Sequence, residues 1–486
     1  SPAHLDQLVR AGKQEIYHFR LDKALLIFRE VQKQYPNYPQ GFFYESYITA
    51  IYFSQDKTND SLDTALHRTV ERSVDVGEAF KKRDPTNPDA LYYLGVSYGV
   101  LGIYHVLNRS YFKGYINGRR GKNYLEKVVR IDSSYYDAYL GLGIFHYYVD
   151  LLPGVVKFFA SILGFHGDRR KGIREIGLTA QRGQFFAVEA KFVYSAIRYF
   201  FEGRKQVSLR TFIQLQNTYP ENPALTLLIG YHYRRMGQLK QALHFFKSVS
   251  ISYEKKLPQI SVMRYYNTGV CYFRMNKLPE AEAVFDSLIQ KPIRKTAYYQ
   301  SALSYYKGLL ADMRFKRAVA EKYYRKIPKS KDTRYWYHIS RLNVEFEMDS
   351  LLRAYFIASN QVFMADFPAA GKTIRYIFET LDRGTVSPSV PYFKYLAEDL
   401  RAKYDFRRGR VKKSEERYRA FINQAEKVKD DFYRAWIYIQ YARVLRERKK
   451  WREAEKMLNI AKSCDDEYTR LIIEREKYII KSLKSA

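Results

Sequence analysis

The stretch "FMADFPAAGKTIRYIF" holds Gly371-Lys372-Thr373, the residue types with which a phosphate loop cradles a nucleotide and holds its magnesium. That loop needs a second glycine five residues earlier. Position 366 is Asp366, and no strand-like run precedes it, so nucleotide chemistry of this kind is excluded. The 9 histidines are scattered, with no HExxH, no pair at metal spacing and no Cys/His cluster. Cys271 and Cys464 stand far apart in helical patterns and read as small buried apolar side chains, not as a disulfide framework. Gly95-Val96-Ser97-Tyr98-Gly99 spells Gly-x-Ser-x-Gly, but it falls within a helical repeat pattern with no strand before it, so no nucleophile elbow is expected. The carboxylate pairs Asp430-Asp431 and Asp465-Asp466 fall at helix ends, where capping accounts for them. No catalytic residue, cofactor or metal is therefore expected. A solenoid enzyme with a site assembled from distant residues ranks third among the readings.

Binding chemistry is better represented. The chain has 46 tyrosines, many doubled, as at Tyr92-Tyr93, Tyr265-Tyr266, Tyr298-Tyr299, Tyr305-Tyr306 and Tyr323-Tyr324. Neighbouring side chains on a helix point about 100° apart, so one ring of a doublet can pack inward while the other lines a groove with its hydroxyl. Packing between repeats explains most of them, and a groove that takes an extended peptide explains the remainder. The candidate partner-binding residues are Tyr233, Arg234, Tyr265, Asn267, Tyr272 and Tyr305, together with the basic Arg407, Arg408 and Arg410. A helical clamp for the C-terminal carboxylate of a chaperone tail needs Lys and Asn on successive helices. Only Asn267 answers to it, so that mode is not expected.

Net charge is +32 and uneven. Residues 1–100 carry 12 basic and 13 acidic side chains, whereas residues 401–486 carry 25 and 14. The basic half favours an acidic partner or an anionic surface by long-range attraction. Nucleic acid is the alternative partner, because Arg and Tyr interleave in "MRFKRAVAEKYYRKIPKSK" and "RAKYDFRRGRVKKSEERYR". No base-reading motif accompanies these stretches. Nonspecific binding of that sort would fall steeply with salt.

The elements that would position these residues follow from a recurring spacing. A small residue is followed twelve positions later by another and, four further on, by a bulky apolar one. Gly12, Ala24 and Phe28 open the series. Ala196, Ser208 and Phe212 continue it, as do Gly230, Ala242 and Phe246; Gly269, Ala281 and Phe285; and Gly308, Ala320 and Tyr324. Ala442, Ala454 and Leu458 give a late copy. Two antiparallel helices approach closely only where neither has a bulky side chain, and the aromatic then fills the space towards the next hairpin. Ala196 to Gly230 is 34 residues, and the next two steps are 39. Tyr35-Pro36 and Tyr219-Pro220 close second helices; Asn87-Pro88 and Asn222-Pro223 open first ones. Alternating β patterns are almost missing. The expected fold is all-α, about nine to eleven stacked helical hairpins in a superhelical solenoid.

"NPDALYYLGVSYGVLG" and "NPALTLLIGYHYRRMGQLKQALHFFKSV" resemble tetratricopeptide repeats. Leu94, Gly95, Tyr98 and Gly102 match in the first, and Gly230, Tyr233, Gly237, Ala242 and Phe246 in the second. The resemblance implies a scaffold that binds protein or peptide in its concave surface. Two hairpins depart from the plain spacing: Gly95 to Gly121 is 26 residues and Gly143 to Gly172 is 29. The second insert, with Leu152-Pro153, Gly164-Phe165, Gly167-Asp168-Arg169 and Gly172, resembles a segment of uncharacterised bacterial tetratricopeptide proteins, some from the envelope. It is also similar to the eukaryotic inclusion-body clearance family.

The organisation expected is a repeat array over 1–334 with extended hairpins at 95–121 and 143–172, a degenerate helical region at 335–390, and basic repeats with a capping helix over 391–486. No apolar run is expected to reach the roughly 18 to 20 residues that span a bilayer. The nearest, Leu151–Phe165, contains Lys157 and Pro153 and suits burial better than peripheral contact with a membrane. Asp168 is expected to cap the helix that follows. The chain opens at Ser1 and not at Met, which leaves open a preceding signal peptide, a lipid-anchor segment or simply an arbitrary starting point. With the bacterial resemblance, this leans towards a periplasmic or outer-membrane-associated location.

Overall fold

The computed structural model describes residues 2–57, 59–108, 110–150, 167–254, 257–384, 390–464 and 467–484. They form helices without a strand among the described residues. By internal contacts they separate into two compact units, residues 1–200 with 204–226, and residues 201–203 with 227–486.

The first unit contains α1 (Pro2–Tyr17), α2 (Leu21–Gln34), α3 (Gln40–Gln55), α4 (Asp60–Arg83), α5 (Pro88–Leu107), α6 (Tyr111–Ile131), α7 (Ala138–Asp150), α8 (Arg169–Arg182), α9 (Ala187–Phe200) and α10 (Lys205–Thr218). They pack as successive antiparallel pairs, α1 with α2 through α9 with α10. Glycines set the tightest crossings. A Cβ on Gly121 of α6 would lie 2.7 Å from the Gly95 carbonyl of α5, and one on Gly143 of α7 would lie 2.7 Å from the Gly172 carbonyl of α8. Both crossings fall in the hairpins whose inserts the spacing had singled out. Helix starts are capped as the sequence indicates: Asn87 accepts from the Ala90 N–H at 3.1 Å, and Asp168 from the Lys171 N–H at 2.9 Å. The segment Leu151–Phe165 lies outside the described residues.

The apolar helix that stands out is α5, and here the expectation from sequence needs correcting. At 20 residues it is long and apolar enough to cross a membrane, yet 61% of its apolar window is buried inside the protein. Its chain of Leu, Tyr and Gly residues reads as a repeat helix, which hid its hydropathy.

The second unit takes in most of α11 (Pro223–Arg235), then α12 (Leu239–Ser248), α13 (Pro258–Arg274), α14 (Leu278–Gln290), α15 (Ala297–Asp312), α16 (Arg317–Arg325), α17 (Arg334–Glu345), α18 (Ser350–Met364), α19 (Phe367–Asp382), α20 (Phe393–Arg407), α21 (Val411–Phe421), α22 (Asp431–Glu447), α23 (Trp451–Ser463) and α24 (Glu467–Lys484). The repeat lapses at α17, a single helix packed on α15 and α16, before pairing resumes with α18 and α19. Lys372 and Thr373 lie inside α19, whose start is capped by Asp366. Asp430 caps α22 by accepting from the Tyr433 N–H at 2.9 Å.

The repeat aromatic does two jobs. A Cβ on Gly230 would lie 2.7 Å from the Phe246 ring, so the aromatic sits directly over the glycine of its own hairpin. It also meets the next hairpin, as Phe285 stacks on Tyr306 at 5.3 Å and, in the first unit, Phe28 on Tyr44 at 4.6 Å. Sequence spacing indicated the second contact and missed the first.

Candidate functional site: an aromatic face with unpaired donors

In the first unit the inward side chains are spent on one another. Lys13 of α1 pairs with Glu189 of α9 at 2.6 Å, and the Tyr17 hydroxyl donates to the same carboxylate at 2.8 Å. Phe186 stacks on Tyr44 at 6.0 Å beneath the Lys13 ammonium, which is 3.9 Å from its ring. Tyr92 and Tyr93 are both buried, so this doublet does not split as expected.

The second unit differs. Tyr266 of α13 meets Tyr299 and Tyr306 of α15 at 5.2 and 6.2 Å. Tyr298 lies edge-on to Trp336 of α17 at 5.6 Å, and Tyr305 is 5.5 Å from both Tyr306 and Trp336. Doublets split here: Tyr306 is buried and Tyr305 half-buried, Tyr299 half-buried and Tyr298 42% exposed. Arg234 of α11 lies over the Tyr231 ring at 5.1 Å. The groups that act on it electrostatically are Tyr266, Tyr306, Tyr231 and Cys271, and it acts in turn on Tyr298 and Tyr299.

The polar character of this face is one-sided. The Arg234 Nε and the Trp336 Nε1 are buried and have no hydrogen-bond acceptor among the described residues. Burial pushes the Tyr266, Tyr298 and Tyr299 hydroxyls up, so all three stay protonated. The face therefore offers N–H and O–H donors and π surfaces. A guanidinium left without a carboxylate in such surroundings favours an anionic, acceptor-rich group. It offers little to nucleophilic chemistry, since burial pushes the Cys271 thiol up to about 12. Among the described residues no three His, Cys, Asp or Glu side chains are grouped to hold a metal.

Of the residues singled out from sequence, Arg234 and Tyr305 lie on this face. Tyr233 stacks on Phe245 of α12 at 5.5 Å, and Asn267 is buried, donating to the Met263 carbonyl of its own helix at 2.7 Å. Tyr265 lies between Arg264 and Lys291, at 4.9 and 5.0 Å from its ring, and Tyr272 lies beneath Lys247 at 5.3 Å. Each of the basic trio has a partner within the fold. Arg407 donates to the Phe363 carbonyl at 2.9 Å, Arg408 to the Tyr404 hydroxyl at 2.8 Å, and Arg410 stands 3.9 Å from buried Asp405. Tyr231, Tyr298 and Trp336 were not singled out. The Tyr298-Tyr299 doublet signalled one of them, while Trp336 fell where the repeat spacing lapses.

Much of the remaining basic charge at this end is likewise internal. Glu415 gathers Arg419, Arg448 and Lys450, and Glu476 gathers Arg443, Arg446 and Arg475. A hollow of about 440 Å³ opens between α20 and α21, but its Arg401 is already paired with Glu398 at 2.6 Å and its Arg417 with Asp405 at 2.5 Å.

Stacked antiparallel pairs with small residues at their crossings define an all-α, tetratricopeptide-like helical-repeat fold. Residues 128–335 match the family model described as Iml2/Tetratricopeptide repeat protein 39, a span that includes the second insert. No curated protein sequence matches the chain significantly. Among solved structures, a tetratricopeptide repeat protein from Parabacteroides merdae is 17% identical, covering 61% of this chain and 99% of its own, with a TM-score of 0.25. Pseudomonas aeruginosa PilF is 17% identical, covering 53% and 100%, with a TM-score of 0.34. The human IFIT1 dimer solved with PPP-AAAA is 13% identical, covering 76% and 89%, with a TM-score of 0.38.

Proposed function

We propose that the chain is a non-catalytic scaffold that holds an extended, acidic protein segment against the aromatic face of α11, α13, α15 and α17. The observation that carries this reading is the Arg234 Nε, buried over Tyr231 with no acceptor among the described residues. A carboxylate of the partner would supply the missing acceptor, and Tyr298, 42% exposed, would stack on its neighbours and donate to its backbone carbonyls.

Peptides of equal length and apolar content, in acidic, neutral and basic series, test it by titration into the full chain with anisotropy as the readout. The acidic series should bind best, and Arg234→Gln should weaken it about tenfold or more, the usual effect of leaving a charged hydrogen bond unmade. Equal binding of the acidic and basic series, or an Arg234→Gln variant that binds as the parent does, would sink the proposal.

A further inference from the structure

The end of the α5–α6 hairpin is apolar and uncovered. Ile103, Val106 and Leu107 close α5 with exposures of 57%, 47% and 41%, and Tyr111 and Phe112 open α6 at 62% and 75%. Five exposed large apolar side chains thus fall within ten residues, at the end of α5 and the start of α6. Directly below them the chain is basic. Residues 110–125 contain Lys113, Arg119, Arg120 and Lys122 and not one Asp or Glu. Lys113 and Arg119 are exposed and have no ion-pair partner among the described residues. Asp63 of α4 is engaged by the Tyr104 hydroxyl at 3.1 Å and the Asn108 amide at 2.7 Å.

Two features decide what such an end can meet. Its area is small: five side chains of this size offer about 500 Å², below the about 800 Å² that each partner of a stable protein pair contributes. Its layering is that of a membrane interface, with aliphatic groups and Phe at the extremity, Tyr beside them and cations one to two turns behind. The hairpin is also stiff enough to push into a surface. Gly102, Gly114 and Gly121 bring the two helices into backbone contact, a Cβ on Gly102 lying 2.9 Å from the Gly118 nitrogen.

We infer that this hairpin end, with Ile103, Val106, Leu107, Tyr111, Phe112 and Lys113, is a wedge that dips into the headgroup region of an anionic lipid surface. A few apolar side chains and cations give weak, reversible attachment, not anchoring. The wedge lies in the first unit and stands independently of the aromatic face in the second.

Co-sedimentation of the full chain with vesicles tests it, using phosphatidylcholine alone against phosphatidylcholine and phosphatidylglycerol in equal parts. The parent chain should pellet with the anionic vesicles and far less with the neutral ones. The triple variant Ile103→Ser, Tyr111→Ser, Phe112→Ser replaces exposed side chains only. It should keep its helicity by circular dichroism and lose about tenfold in partitioning. Lys113→Glu with Arg119→Glu should lose a similar factor. If the triple variant partitions like the parent, the attraction belongs to the net charge and the wedge is wrong. It is equally wrong if the parent ignores both vesicle types, or if sedimentation velocity shows the parent self-associating through this end and the triple variant not.

Discussion

The Asp137 carboxylate accepts the backbone N–H of Phe186 at 2.9 Å. Its other oxygen accepts the Phe185 N–H at 3.0 Å, so one buried side chain fixes the loop that carries Phe186 against Tyr44 and beneath Lys13. Burial alone would make this carboxylate costly, and the loop amides and Lys13 offset that. Asp137→Ala leaves the Phe185 and Phe186 N–H groups unsatisfied and removes the second of two carboxylates, after Glu189, that favour the Lys13 ammonium. It should destabilise the first unit by about 2–4 kcal/mol, read as a drop in urea midpoint. Asp137→Asn, which keeps one acceptor, should lose roughly half as much. An Ala variant as stable as the parent would show that the loop is held by Phe186 packing alone.

Two glycines on α6, three residues apart, should respond to the same change with opposite sign. A Cβ on Gly118 meets nothing within 4 Å, whereas one on Gly121 would lie 2.7 Å from the Gly95 carbonyl and 3.0 Å from the Gly99 nitrogen. Gly118→Ala should therefore stabilise by about 0.5–1 kcal/mol through helix propensity and a stiffer unfolded chain. Gly121→Ala must push α5 and α6 apart and should cost about 1–3 kcal/mol. Thermal melts of the two single variants check both signs at once.

This pair also shows how far the sequence could be read. Small residues at Gly95, Gly121, Gly143 and Gly172 disclosed the helix crossings, because close approach demands them whatever the rest of the chain does. The capping of α8 by Asp168 and of α22 by Asp430 was legible for the same local reason. The closure of the first unit was not. It joins Lys13 to Glu189 across 176 residues, and no local spacing encodes such a contact. The candidate site was half legible. Arg234 and Tyr305 sit on repeat helices where a groove was expected, but the fate of Arg407, Arg408 and Arg410 depends on carbonyl and carboxylate partners from other turns. A run of cations looks the same in sequence whether it faces solvent or a buried acid.

Asp312 should give the second unit a pH dependence of its own. Burial pushes its pKa up to about 6, although the Tyr324 hydroxyl at 2.9 Å and Arg317 at 3.4 Å pull the other way. A carboxyl whose folded pKa is raised favours the folded state most when protonated. Its contribution is present below the unfolded value near 4 and is lost as pH rises through 6. The loss amounts to about 3 kcal/mol for a shift of this size. Urea midpoints measured from pH 4 to pH 7 should therefore fall further for the parent than for Asp312→Asn. Parallel pH profiles for the two proteins would show that Tyr324 and Arg317 compensate the charge fully.

Glu476 on α24 presents the opposite case and the opposite sign. Burial would raise its pKa, but Arg443 at 2.9 Å, Arg446 and Arg475 at 3.6 Å more than reverse that and hold the carboxyl below its ordinary range. Its stabilising effect is thus present at neutral pH and is lost only as pH falls through the lowered value. Arg443 and Arg446 belong to α22, so this one carboxylate joins the last helix to the pair before it. Glu476→Gln leaves the partly buried Arg443 and Arg475 guanidiniums without this counter-ion, while Arg446 keeps Glu447 at 3.0 Å, and should cost about 3–5 kcal/mol at pH 7. Arg443→Met removes one of three donors and should cost less. Because the damage begins at α24, limited proteolysis of Glu476→Gln should cut that helix before any other, at a denaturant concentration where the parent is still intact. Uniform cleavage along the second unit would mean that Glu476 acts on the unit as a whole and not on the docking of its last helix.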